Sequence, residues 1–171
     1  MTESVFPGAE FEVALPRAAG WNAAGLDEAI GFALRHRSSQ FLVCHGGRIV
    51  AERYEGCGAD DAGDVFSAQK SLVAILVGIA VDRGMLAIDD AVSKYLPAGW
   101  SRLERDVESR VRIRHLMNMT TGMDDSLAAS GTMGETWYYN TPAYQELKRV
   151  LPRACGMSID EMTSGWIVEP L

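Results

Sequence analysis

The chain has 171 residues, which suits one domain or a large part of one, and its balance of 47% hydrophobic and 23% charged residues excludes a disordered or low-complexity chain. A net charge of -7 excludes the Lys/Arg clusters that nucleic acid and anionic membranes reward, so neither is expected as a partner. Three scattered cysteines, Cys44, Cys57 and Cys155, with no C-x-x-C, exclude a disulfide framework or zinc knuckle and read as reduced thiols.

Residues 1–24 carry Pro7, Pro16 and several glycines and alanines, and predict an extended arm. The first residues are acidic and have no apolar core of a signal peptide, so a cytoplasmic location is expected. Leu26, Ala29, Ile30, Ala33 and Leu34 fall at helical spacing and predict a helix over 26–37. Two β-prone runs, 40–44 and 48–54, flank His45-Gly46-Gly47 and predict a hairpin. A Gly/Asp-rich loop covers 55–63. From Ser67 to Asp82 a second helix is expected, apolar at Leu72, Val73, Ile75, Leu76, Val77, Ile79 and Val81, so buried on most sides, and too short to span a bilayer. Arg83-Gly84 ends it. A turn-rich connection reaches Pro97, a short helix is expected over 111–119 and closed by Thr120-Thr121-Gly122, and two more helices are expected over 142–151 and 158–168. The order is helix, hairpin, then mostly helix, which predicts an α+β fold. Two strands alone make a marginal sheet, and the sequence stops at WIVEPL without a polar tail, which reads as a chain cut short.

Ser67 and Lys70 share one helix face. A hydroxyl at a helix start lies beside unpaired N–H groups and the positive end of the helix dipole, where a forming alkoxide is stabilised. A lysine one turn on takes the hydroxyl proton if burial lowers its pKa, here against Val65, Phe66 and the apolar helix. On spacing alone the plainer reading, a serine cap and a solvated lysine, is favoured. The apolar run behind Lys70 is what turns the balance. A second group is Trp137-Tyr138-Tyr139-Asn140-Thr141-Pro142. Tyr138 and Asn140, two residues apart before a helix, suit an acid/base hydroxyl and an amide donor facing one cleft. The plainer alternative is an aromatic cluster packing the loop down, with Asn140 as a helix cap. His36, His45 and His115 are scattered and read as surface or turn residues; the pairs Asp89-Asp90 and Asp124-Asp125 read as a capped turn and a solvated loop. No metal and no cofactor is expected.

FLVCHGGRIVAERYEG, DVFSAQKSLVAILVGIAVDRGMLAIDDAVSKYLP, VRIRHLMNMTTGM, YYNTPAYQEL and WIVEPL occur in this order over about residues 38–171. Together they resemble the serine hydrolases related to class C beta-lactamases and penicillin-binding proteins, a family that includes carboxypeptidases, D-aminopeptidases, carboxylesterases and 6-aminohexanoate-dimer hydrolases. The resemblance implies a beta-lactamase/transpeptidase-like fold and attack on an ester, amide or β-lactam carbonyl through an acyl-enzyme. It implies Ser67 as nucleophile, Lys70 as its proton partner, Tyr138 as general base, and Asn140 as the residue holding the substrate carbonyl and Lys70. The Ser67 N–H would give half of the oxyanion hole. Tyr139 fills the middle of Y-x-N, where the family usually has a small residue. Met119 stands where many members have histidine, a hint of ester or amide substrates.

The family's third motif, Lys-Thr-Gly or His/Arg-x-Gly, is not found; His45-Gly46-Gly47 fits as text but lies before the nucleophile. The expectation is therefore an N-terminal arm over 1–24 and, over 25–171, the N-terminal part of such a domain, with a helical subdomain from about 85 and the C-terminal strands missing. A small-molecule ester, amide or peptide is the expected partner, with self-association through an exposed sheet edge. The alternative is a catalytically incomplete fragment or a non-catalytic binding remnant of the same family.

Overall fold

The computed structural model describes residues 5–8 and 10–171, so positions 1–4 and 9 of the expected arm lie outside the described residues. The chain divides into two compact units, one ending at Asp64 and one running from Val65 to Leu171.

In the first unit, helix α1 (Ala23–Arg35) starts earlier than its apolar pattern, because the Asn22 side chain accepts from Gly25 N at 3.1 Å and caps it. Strands β2 (Gln40–His45) and β3 (Arg48–Tyr54) form the expected hairpin. Its two-residue turn needs positive φ at both positions, and Gly46 and Gly47 supply 58° and 78°. The pairing runs from Gln40–Tyr54 to His45–Arg48, with a bulge between Val43 and Cys44. The arm adds a third strand not foreseen in the sequence: β1 (Glu12–Val13) pairs parallel with β3, and Glu12 takes the Arg48 guanidinium at 2.8 Å. The order is β1-β3-β2, over a small core of Leu26, Ile30 and Val50.

The second unit opens with a 3-10 turn, Phe66–Ala68, which runs into helix α2 (Gln69–Asp82). The expected all-round burial of this helix is corrected. Val73, Leu76, Val77 and Ala80 are buried, whereas Leu72, Ile75 and Val81 are exposed. Those buried positions make one i, i+3, i+4, i+7 stripe, the width that packing on a neighbouring helix can cover. Helices α3 (Arg105–Glu108), α4 (Ile113–Met117), α5 (Thr141–Gln145), α6 (Leu147–Cys155) and α7 (Ile159–Thr163) follow, the last running into a π turn at Ser164–Val168. The single helix expected over 142–151 is thus two, meeting at Glu146, and α3 is an addition.

Leu96, Ile113, Leu116, Met123, Leu147, Leu151 and Met162 form a closed core with α2. Each large side chain so buried contributes about 1.5–3 kcal/mol. One buried carboxylate ties the core's edge: Glu108 accepts from Gly99 N (2.8 Å), Ser101 N (2.9 Å) and Ser101 Oγ (2.7 Å). Burial works against its ionisation, but these donors outweigh it and hold the carboxyl below its ordinary range. Gly122 ends the loop after α4 where a side chain has no room, since a Cβ there would stand 2.6 Å from the carbonyl oxygen of Gly131.

Candidate active site

The second unit brings two segments together: the turn entering α2 and the extended run before α5. Phe66 has φ 44°, in the left-handed region unfavourable to a side chain, directly before Ser67. Ser67 is exposed, and Lys70 Nζ donates to its Oγ at 3.1 Å. Val65 and Phe66, expected to bury Lys70, are themselves 61% and 74% exposed, and Lys70 is half-buried. Its neighbours are instead two aromatic rings, with Nζ 5.2 Å from the centroid of Tyr139 and 5.9 Å from that of Tyr144.

The tyrosine that meets this pair is Tyr139. Its hydroxyl interacts with Ser67 and Lys70, and these two, Ser67 first, hold the phenol below its ordinary value of 10.0. Tyr138, the tyrosine that the family resemblance implies for that place, donates to Asp125 Oδ2 at 3.1 Å, and the carboxylate pushes its pKa up. Asn140 does not reach Lys70 either. It is buried, its Nδ2 donates to the carbonyls of Met123 (3.0 Å) and Asp124 (2.8 Å), and its Oδ1 accepts from Ala143 N as the cap of α5. The physical reason is alternation. In extended backbone, alternate side chains share a side. Tyr138 and Asn140 therefore both address the 123–125 loop, while Tyr139 faces the other way, toward α2. The signal was present in Asn140-Thr141-Pro142, where an N-cap followed by proline in the first turn turns the asparagine inward. Asp125 is an exposed loop residue that accepts this bond.

The remaining candidates stay apart from this cluster. His45 Nδ1 accepts from Trp21 Nε1 at 2.8 Å, and His115 Nδ1 accepts from Arg112 N at 3.2 Å. Asp90 accepts from Ala87 N and Lys94 Nζ and closes a turn. Among the described residues no three His, Cys, Asp or Glu side chains gather where a metal would be held, and no helix is long and apolar enough to cross a membrane.

An exposed serine, a lysine bonded to it and a phenol of lowered pKa thus lie together at the start of α2. The chain belongs to the beta-lactamase family, whose model matches residues 25–171. An uncharacterized protein of Alkalihalophilus pseudofirmus is 28% identical over 138 residues, which is 73% of this chain and 39% of the relative. The esterase EstB of Burkholderia gladioli is 34% identical over 113 residues, 59% of this chain and 29% of the relative. The octameric penicillin-binding protein homologue from Pyrococcus abyssi superposes with a TM-score of 0.72 at 17% identity, over 87% of this chain and 43% of that one, a likeness of fold. The chain thus spans well under two thirds of the relatives it matches.

Proposed function

We propose that this chain carries the nucleophile group of a serine hydrolase that cleaves ester or amide carbonyls through an acyl-enzyme. The observation that carries the reading is the convergence of Ser67, Lys70 and Tyr139. Ser67 Oγ attacks the carbonyl carbon, and its proton passes to the Tyr139 phenolate, whose charge Lys70 supports. The backbone N–H of Ser67 donates to the oxyanion of the tetrahedral intermediate. When the intermediate collapses, the bond to the alkoxide or amine breaks and Tyr139 returns the proton to that leaving group. Water then repeats the sequence on the acyl-serine, with Tyr139 taking the water's proton and Ser67 regaining its own. In this reading the base role that the resemblance implies for Tyr138 passes to Tyr139, and Asn140 serves as a structural cap. The similarity to an esterase supports a small uncharged ester as first substrate to try.

The test is intact mass after treatment with a fluorophosphonate and, separately, a β-lactam. The wild-type chain should gain one adduct, Ser67→Ala none, and Tyr139→Phe should react about 10²–10⁴-fold more slowly. Tyr138→Phe should react at close to the wild-type rate. An adduct that persists in Ser67→Ala, or a loss in Tyr138→Phe with none in Tyr139→Phe, overturns the assignment. We also propose that strand β2, an edge strand of the described sheet with Leu42 54% exposed, supports self-association. Sedimentation of the wild type against Leu42→Lys tests this; an unchanged monomer in both would exclude it.

A further inference from the structure

Helix α2 is apolar on its buried stripe and apolar again at Leu72, Ile75 and Val81 on its exposed side. Apolar patterning at Leu72, Ile75 and Val81 therefore leaves the rotation of this helix about its axis less sharply set than a one-sided stripe would. Yet the site depends on that rotation. Each residue turns the helix by about 100°, so a slip of one position would carry Lys70 away from Tyr139. Something polar has to set the roll.

Two hydrogen bonds outside the proposed chemistry meet that need, and both grip the first two residues of α2. Tyr144, buried on α5, donates its hydroxyl to the backbone carbonyl of Lys70 at 2.8 Å. Lys148, the second residue of α6, donates Nζ to Oε1 of Gln69. With Val73 and Gln145 these four residues line one small cavity at the start of the helix. A carbonyl oxygen has two lone pairs, so the Lys70 carbonyl can accept from Tyr144 and still serve the helix. A polar contact in an otherwise apolar interface is a recognised means of fixing register.

We propose that Tyr144 and Lys148 are positioning residues, a two-point latch from α5 and α6 that sets the rotation of α2 and so brings Ser67 and Lys70 to Tyr139. The inference rests on the Ser67–Lys70–Tyr139 reading above, but its test does not need turnover. The sequence has three lysines, Lys70, Lys94 and Lys148. In the full chain labelled with ¹³C at the lysine ε-carbon, each signal can be assigned by a single lysine-to-methionine change. The Lys70 signal reports the two rings flanking it. Tyr144→Phe keeps the ring and removes only the hydroxyl; Lys148→Met removes the second hold, and Lys148→Arg keeps a donor that reaches Gln69.

Well below the melting temperature, Tyr144→Phe and Lys148→Met should each displace the Lys70 signal toward its unfolded-chain position. The Lys94 signal should stay in place, and Lys148→Arg should restore the Lys70 signal. A role in stability alone would lower the melt and leave the Lys70 signal unmoved. An unmoved signal in both variants overturns the latch, and movement in one assigns the role to that residue and removes it from the other. Failure of the catalytic reading looks different: it appears as adducts that survive Ser67→Ala, whatever the lysine spectrum does.

Discussion

The interior of the second unit and the rim where Ser67, Lys70 and Tyr139 meet follow opposite rules. Inside, apolar side chains such as Leu116, Leu147 and Met162 are fully buried, and of the polar ones admitted, Glu108 and Asn140 are bonded to backbone on several sides. At the rim Val65, Phe66, Trp137, Tyr138 and Tyr139 are all exposed, and Phe66 holds an unfavourable backbone angle. The difference separates two kinds of residue that sequence alone runs together: those whose loss should register in a melt and those whose loss should register in reactivity.

The sharpest break of that contrast is Leu147→Ala. The side chain is completely buried, and its removal should cost about 2–5 kcal/mol in denaturant unfolding. Phe66→Ala, at 74% exposure, should leave the midpoint nearly unmoved while altering the turn before Ser67. Similar losses from the two would erase the distinction. Next comes Asn140→Ala. It removes a helix cap and strands the carbonyls of Met123 and Asp124, at an expected cost of about 2–3 kcal/mol. If Asn140 served the substrate instead, this variant would keep its stability and lose its labelling.

Asn140 also marks how much of the molecule the sequence reveals. The hairpin, α1, α2 and the Ser67–Lys70 pair are legible because each is written locally, in a Gly-Gly turn, an apolar period or a spacing of three. The one-sided burial of α2 is not legible, because an all-apolar helix does not say which of its faces will find a partner. The arm's β1 strand is likewise invisible, since two residues pairing with β3 leave no period. Of the two readings that Tyr138-Tyr139-Asn140 offers, the cap is the one Asn140 takes, which turns its side of the run inward and leaves the other side, Tyr139, to Lys70. Tyr144 and Lys148 touch α2 from more than seventy positions away, and such contacts have no local signature.

A smaller effect lies between interior and rim. Asp90 is held at about 2, below the ordinary 3.8, by the Tyr95 hydroxyl first, then by Ala87 N and Lys94. A carboxylate with a depressed folded pKa adds stability that is complete above the unfolded value and disappears as pH falls through the folded one. The contribution should be on the order of 1–2 kcal/mol, given that the group is partly solvated. It should be present near neutrality and fade between about pH 4 and pH 2. Unfolding of the wild type and Asp90→Asn across that range should converge at the acid end. A constant gap between them would mean that the turn is held by something else.

The least perturbing pair of substitutions is the most informative about the rim. Tyr138 and Tyr139 are neighbours of nearly equal exposure, 42% and 46%, so burial cannot set them apart. Their partners do, a carboxylate raising one and Ser67 with Lys70 lowering the other. In a spectrophotometric titration Tyr139→Phe should remove an early ionisation and Tyr138→Phe a late one, with little change in the melt for either. Lys70→Met should move the early ionisation upward, because it removes the cation that favours phenolate, and leave the late one alone. The reverse order would return the base to Tyr138 and mean that the run before α5 can present either face to the serine. The expected order would mean that the choice is made two residues later, where Asn140 caps a helix.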